Sequence, residues 1–260
     1  MKFRFTGLTD PGLVRSANQD AYYIEPERRF AIVADGMGGH AGGEHASRIA
    51  TQVIQAYLVE HWDSLKPTKA LLEGAFLQAN QEIVKDQQNH PQRSDMGTTA
   101  VAVIFREKQL WIAHVGDSRL YRLRGLKLEQ LTEDHTWVAR ALKLGEIAPK
   151  EARTHQWRHV LSRCLGREAV YEIDVQALDI QPGDRLLLCS DGLTEELSDK
   201  VIAFHLQSNS TLDKAADALV KAALLKGGHD NITVVLVAID GEGNVTSSVS
   251  VLDETAQAPE

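Results

Sequence analysis

Residues 30–43 read FAIVADGMGGHAGG, and the change of character inside this stretch decides how the whole chain is read. Phe30–Ala34 is an apolar run of strand length, Asp35 ends it, and glycines follow at 36, 38, 39, 42 and 43. A buried strand closed in this way delivers a carboxylate to the edge of a sheet. The glycines relax the backbone beside Asp35 and lead into a helix expected to start near Glu44. The stretch lacks the Lys-Ser/Thr pair of a P-loop and the spacing of a dinucleotide fingerprint, which argues against a nucleotide loop.

The same pattern recurs outward in both directions. Asp20 precedes the strand expected at Ala21–Ile24, and Asp117 follows Leu110–Val115. Asp191 follows Arg185–Cys189, and Asp230 opens Ile232–Ile239. Strands are also expected at Thr99–Phe105 and Arg119–Arg122, the latter forming a hairpin with Leu110–Val115 through Gly116-Asp117-Ser118. Hard divalent cations take oxygen ligands, and carboxylates clustered at strand ends repel one another unless a cation lies among them. Taken singly, an Asp-Gly or Gly-Asp is an ordinary turn dipeptide. The pattern by itself leaves turns and a multi-carboxylate metal site both open.

Between the strands, Glu44–Trp62 and Thr68–Gln88 carry apolar residues at helical spacing, as do Thr194–Leu206 and Leu212–Lys226. Strands, a helix pair, strands and a second helix pair indicate sheets packed between helical layers, not a strict βαβ alternation. Asp134–Gly166 fits neither period and reads as a lobe or flap inserted between core strands. Its WVARALKLGEIAPKEAR portion tempts a helix-turn-helix reading, which lacks the basic patch that DNA binding requires. Residues 240–260 turn small, polar and acidic, as a mobile tail does.

Composition narrows the class. The 260 residues carry a net charge of −8, with 43% hydrophobic and 25% charged residues, as in an ordinary globular protein. An acidic balance argues against nucleic acid or an anionic membrane as partner. No apolar run reaches membrane-span length, and MKFRFTGLTD lacks the apolar stretch expected of a signal peptide. Cys164 and Cys189 alone make no disulfide framework. A cytoplasmic monomer is the expectation. No G-x-S-x-G elbow is present, and Cys189 lies within a strand, so no side-chain nucleophile is in view.

At these residues the sequence resembles the metal-dependent Ser/Thr protein phosphatases of the PPM family (type 2C), in their compact bacterial form. Eight blocks run in collinear order from about Thr6 to Ile239: GLVRSANQDA, VADGMGGH, GTTAV, AHVGDSR, LTEDHT, LSRCLG, LLLCSDGL and HDNITVVLV. The resemblance is strongest to cyanobacterial members that act on the phosphorylated PII signalling protein. It implies an α+β fold, a four-layer α-β-β-α sandwich with two antiparallel sheets. Residues 1–239 would form the catalytic domain, with 134–166 as its flap.

By motif, the resemblance implies that Asp35 bridges two central Mn²⁺ or Mg²⁺ ions. The Gly36 carbonyl would complete one of them, and Asp191 and Asp230 the other. Asp117 with Asp191 matches a third metal position. Arg15 stands where the family binds substrate phosphate, and Asp20 where it orients or deprotonates the bridging water. Two departures stand out. Met37 replaces a His proposed as general acid in eukaryotic relatives, leaving His40 as a nearby substitute. Gln19 replaces a Glu, so that metal contact is expected through water. In the flap, Thr136 and His159 are the candidates for substrate contact.

The mechanism expected is single-step hydrolysis of phosphoserine or phosphothreonine by a metal-bridging water, with no phosphoenzyme. The partners expected are phosphorylated proteins, a PII-type protein among them. A phosphoprotein-binding pseudophosphatase is the alternative, and a simple cation-binding protein a third reading. Neither alternative accounts for a complete set of ligand Asp positions together with Arg15 and a flap.

Overall fold

The computed structural model describes residues 1–39, 42–152, 154–168 and 172–241. The expected mobile tail lies outside the described residues apart from Asp240 and Gly241, as does His40. In chain order the elements are β1 (Lys2–Asp10), β2 (Asp20–Ile24), β3 (Phe30–Met37), α1 (Gly42–Glu60), α2 (Thr68–Asn89), β4 (Gly97–Thr98), β5 (Ala100–Arg106) and β6 (Gln109–Val115). There follow β7 (Arg119–Arg124), β8 (Lys127–Gln130), α3 (Trp137–Lys143), α4 (Pro149–Ala152), β9 (Asp174–Leu178) and β10 (Arg185–Cys189). The chain closes with α5 (Asp191–Glu196), α6 (Asp199–Ser208), α7 (Leu212–Lys226) and β11 (Ile232–Asp240).

Two antiparallel sheets form, ordered β1-β11-β10-β7-β8 and β2-β3-β5-β6-β9, with β4 added to β3. They face each other through Val33, Val101, Val103 and Ile112 on one side and Leu186, Leu188, Val235 and Val237 on the other. Strand alternation sends the next residues the opposite way, so Phe30, Ile32, Ala102 and Ile104 pack outward. There they meet α1 through Ala46, Ala50, Ile54 and Leu58, and α2 through Leu72, Ala75, Phe76 and Ala79. On the far face α5, α6 and α7 cover the first sheet, with Leu193, Ile202, Leu206, Leu219 and Ala223 against Leu187 and Leu236. The result is the α+β sandwich of four layers.

Two local expectations are corrected and one strand is added. Leu110–Val115 and Arg119–Arg122 do not form a hairpin, because β6 pairs with β5 and β9 while β7 pairs with β10 and β8. The Gly116-Asp117-Ser118 turn therefore steps from one sheet to the other. Thr194–Leu206 is two helices, broken where Leu197 takes an extended conformation and buries its side chain. The sequence reading also passed over β1, whose Phe3 and Phe5 alternate with polar residues and pack against Phe105.

Between β8 and β9 the chain makes the expected excursion. Thr136 caps α3 by accepting the Ala139 N–H at 3.1 Å, and Trp137 stacks on His155 with centroids 4.8 Å apart. At seven and four residues, α3 and α4 do not make the helix pair that reads a DNA groove. Among the described residues no helix is long and apolar enough to cross a membrane.

Candidate active site

Strand parity accounts for where the acids go. On β3, Ala31 and Val33 point between the sheets, so Asp35 points the same way two residues later, at the end of the sandwich. Asp20 is its partner across the β2–β3 pair. Asp117 sits on the step between sheets, Asp191 opens α5 directly after β10, and Asp230 stands two residues before β11. Asp35, Gly36, Asp117, Asp191 and Asp230 line one cleft of about 1270 Å³ together with Arg15, Gln19 and Met37. Asp20 lies buried behind them.

The electrostatics are those of crowded acids. Burial first, and then the charges of Asp20, Asp191, Asp117 and Asp230, hold the Asp35 carboxyl well above its ordinary range. Burial and the charge of Asp230 push Asp191 up to about 6. Burial pushes Asp20 up to about 7, against hydrogen bonds from Thr233 and Ser190. Asp117 is raised by burial and by Asp191. Arg15 reaches in from the opposite loop, its Nη2 2.6 Å from Asp230 Oδ2.

This donor set fits hard divalent cations. Carboxylates and a backbone carbonyl offer oxygen only, and a bound cation relieves the repulsion that raises the acids. Asp20 Oδ1 is buried without a hydrogen-bond partner, although Oδ2 accepts from Ser190 Oγ at 2.7 Å. A Cβ at Gly36 would overlap the Gly43 carbonyl, so only glycine allows α1 to approach this closely at the edge of the cleft.

Several supporting residues escaped the sequence reading. Asn231 Oδ1 accepts the Gln19 N–H at 2.7 Å, while its Nδ2 donates to the Pro11 and Ala17 carbonyls at 2.9 and 3.0 Å. One side chain thus ties the Arg15 loop to Asp230. Thr99 Oγ1 accepts from the Asp35 N–H at 3.0 Å and meets Ser118 Oγ at 2.6 Å. Each of these lies within or beside a motif already singled out. Asn231 and Ser118 adjoin an Asp and Thr99 lies in the GTTAV block, the only signals their positions carried.

The flap candidates separate. His159 lines the cleft, its Nδ1 3.6 Å from Glu195 Oε1, and His159, Asp191 and Glu195 bring ligand atoms within 4.8 Å of one another. Thr136 is not brought to the cleft. It is 3% exposed, and its hydroxyl is engaged as the α3 cap.

Comparison with known proteins agrees with this geometry. A family model described as protein phosphatase 2C matches residues 14–226. The serine/threonine phosphatase stp of Listeria monocytogenes is 39% identical over 244 residues, 89% of this chain and 94% of its own length. The serine/threonine protein phosphatase PstP of Mycobacterium tuberculosis is 38% identical over 239 residues, 91% of this chain and 45% of its own. The crystal structure of PstP/Ppp superposes with a TM-score of 0.83 at 37% identity, covering 92% of this chain and 99% of that one. The PstP catalytic domain in complex with two manganese ions gives 0.80, also at 37% identity and with the same coverage.

Proposed function

The chain belongs to the protein phosphatase 2C family and is a serine/threonine protein phosphatase, and from that premise we propose a direct hydrolysis of phosphoserine and phosphothreonine at the Asp cluster. Asp35, the Gly36 carbonyl, Asp191 and Asp230 would hold two divalent cations in this reading, and Asp117 with Asp191 would hold a third. Bound Mn²⁺ or Mg²⁺ supplies Lewis acidity, lowering the pKa of coordinated water and offsetting charge on the phosphoryl oxygens. The observation that carries the reading is the convergence of Asp35, Asp117, Asp191 and Asp230 on one cleft, with Asp20 buried behind them and Arg15 beside them.

The residues then divide the work. The Arg15 guanidinium presents a fork of N–H donors to two phosphoryl oxygens, holding phosphorus in line with the attacking water. Asp20, with its unpartnered Oδ1, orients that water and takes its proton. The P–O bond to the seryl or threonyl oxygen breaks as the new P–O bond forms, and the leaving alkoxide takes up a proton. His40 is the candidate donor of that proton, with Met37 in the neighbouring position unable to serve. His159 faces the substrate from the flap. No phosphoenzyme forms, since Cys189 is buried in β10 with its thiol pushed up to about 12.

Phosphate release from phosphoserine, phosphothreonine and phosphotyrosine peptides, with Mn²⁺, Mg²⁺ or EDTA, tests the reaction. A PII-type phosphoprotein belongs in the same panel as one candidate substrate. Release that survives EDTA overturns metal dependence. ³²P retained on the protein in rapid-quench experiments overturns the direct hydrolysis.

A further inference from the structure

The Gly116–Asp117 step between sheets cannot hold itself in place. Gly116 sits at φ +103°, and a Cβ there would lie 2.5 Å from the Thr99 side chain, so the position requires glycine. Glycine is also the residue with least conformational restraint of its own. The restraint comes from His135, which is 4% exposed and grips Gly116 twice. Its backbone N–H donates to the Gly116 carbonyl at 2.9 Å, and its Nδ1 accepts the Gly116 N–H at 3.1 Å.

That second bond decides the tautomer. A backbone N–H only donates, so Nδ1 must offer its lone pair and the neutral ring carries its hydrogen on Nε2. Nε2 points at Asp174 Oδ2, 3.2 Å away, and the other Asp174 oxygen accepts from Arg163 Nη1 at 3.0 Å. Arg163 lines the cleft. His114 stacks on the His135 ring at 4.6 Å and donates through Nε2 to the Glu133 carbonyl at 3.0 Å.

His114, His135 and Asp174 bring ligand atoms within 4.8 Å of one another, which resembles a separate metal site. The bonding speaks against it. Both His135 nitrogens are committed, and His114 Nε2 carries the hydrogen given to Glu133.

We propose that His135, held in one tautomer by Asp174, is a positioning residue that fixes the Gly116–Asp117 step and so sets the Asp117 carboxylate for the cation it shares with Asp191. The inference rests on the reading of Asp117 as a ligand given above. The turn is held at its other end by Ser118 on Thr99. Without the His135 ring, Gly116 keeps only the bond from the His135 backbone N–H, and the Asp117 carboxylate loses part of its aim.

Calorimetric titration of the full chain with Mn²⁺, beside melting temperatures in EDTA, provides the test on H135A, H135N, D174N and D117N. H135A is expected to weaken, by about 10- to 100-fold, the class of Mn²⁺ site that D117N weakens, the usual cost of losing such an orienting contact, with the other sites unchanged. H135N, whose Oδ1 replaces Nδ1 as acceptor, should recover most of that loss, and D174N should weaken the same class. Wild-type Mn²⁺ binding by H135A and D174N, with D117N impaired, overturns the role of His135 alone. H135N falling as far as H135A also overturns it, since lost volume then explains the effect. Wild-type binding by D117N removes the ligand reading and this inference with it. Should H135A not fold, D174N decides, because the Asp174 side chain is 38% exposed and its replacement leaves the core intact.

Discussion

Asp20 and Asp35 stand directly opposite each other across the β2–β3 pair, so strand register alone brings two acids of the site together. The pairing is costly without a counter-charge. Burial holds both carboxyls above their ordinary range, helped at Asp35 by the charge of Asp20 and at Asp20 by the charges of Asp191 and Asp230. A cation among them turns the same proximity into a binding site.

Asp35→Asn and Asp191→Asn should each lower Mn²⁺-dependent peptide dephosphorylation by at least about 10²-fold, the scale of losing one preorganised electrostatic group. The melting temperature in EDTA should hold or rise, because one repelling charge is gone. Parallel kinetics and calorimetry check both halves. Full activity in either variant contradicts the site.

The contribution of Asp20 and Asp191 to the stability of the metal-free protein should fall as pH rises. The folded-state values of about 7 for Asp20 and about 6 for Asp191 lie above the ordinary 3.8. At these two groups the native chain therefore binds more protons than the unfolded one between 3.8 and about 7, and their contribution to stability is lost across that window, while the buried His114 and His135, held below the ordinary 6.5, act in the opposite sense. Mn²⁺ competes with those protons, so its affinity should climb over the same range. Melting curves at a series of pH values, with EDTA and with Mn²⁺, should diverge toward high pH.

Arg15→Ala should reduce kcat/KM for phosphopeptides by about 10- to 100-fold, the loss of one or two charge-assisted hydrogen bonds. Arg15→Lys should recover only part, since a point charge lacks the planar fork. Mn²⁺ affinity in both variants separates this loss from any disturbance of Asp230, with which Arg15 pairs.

Thr136→Ala should cost about 1 kcal/mol of stability through the lost helix cap while leaving KM unchanged. Thr136→Ser should be close to neutral in both. A rise in KM with no change in melting temperature would restore the expected substrate contact.

Gly36→Ala should destabilise the fold by about 1–3 kcal/mol and weaken Mn²⁺ binding, because the new methyl group forces α1 away from β3. Chemical denaturation and calorimetry on the same preparation read the two effects.

Much of this site was legible in short windows of sequence. An apolar run closed by Asp and Gly declares a carboxylate at a strand end, and helical periodicity declares the layers that cover the sheets, because both signals are local. The motif match added a role to each acid. His135 and Asn231 stayed silent, since a polar residue beside an Asp says nothing of whom it bonds. Asn231 reaches Gln19 across 212 positions, and Ser190 reaches Asp20 across 170.

The failed hairpin marks the limit most clearly. Three residues between β6 and β7 suit a tight turn, yet each strand finds better partners elsewhere, β5 and β9 for one and β10 and β8 for the other. Thus the sequence by itself determined which residues are acids at strand ends and which faces are apolar. Only the tertiary structure decided that Asp117 crosses from one sheet to the other, and that His135 and Thr99 hold it there. Strand pairing and buried hydrogen bonds are contests among distant segments, and a local window contains only one contestant.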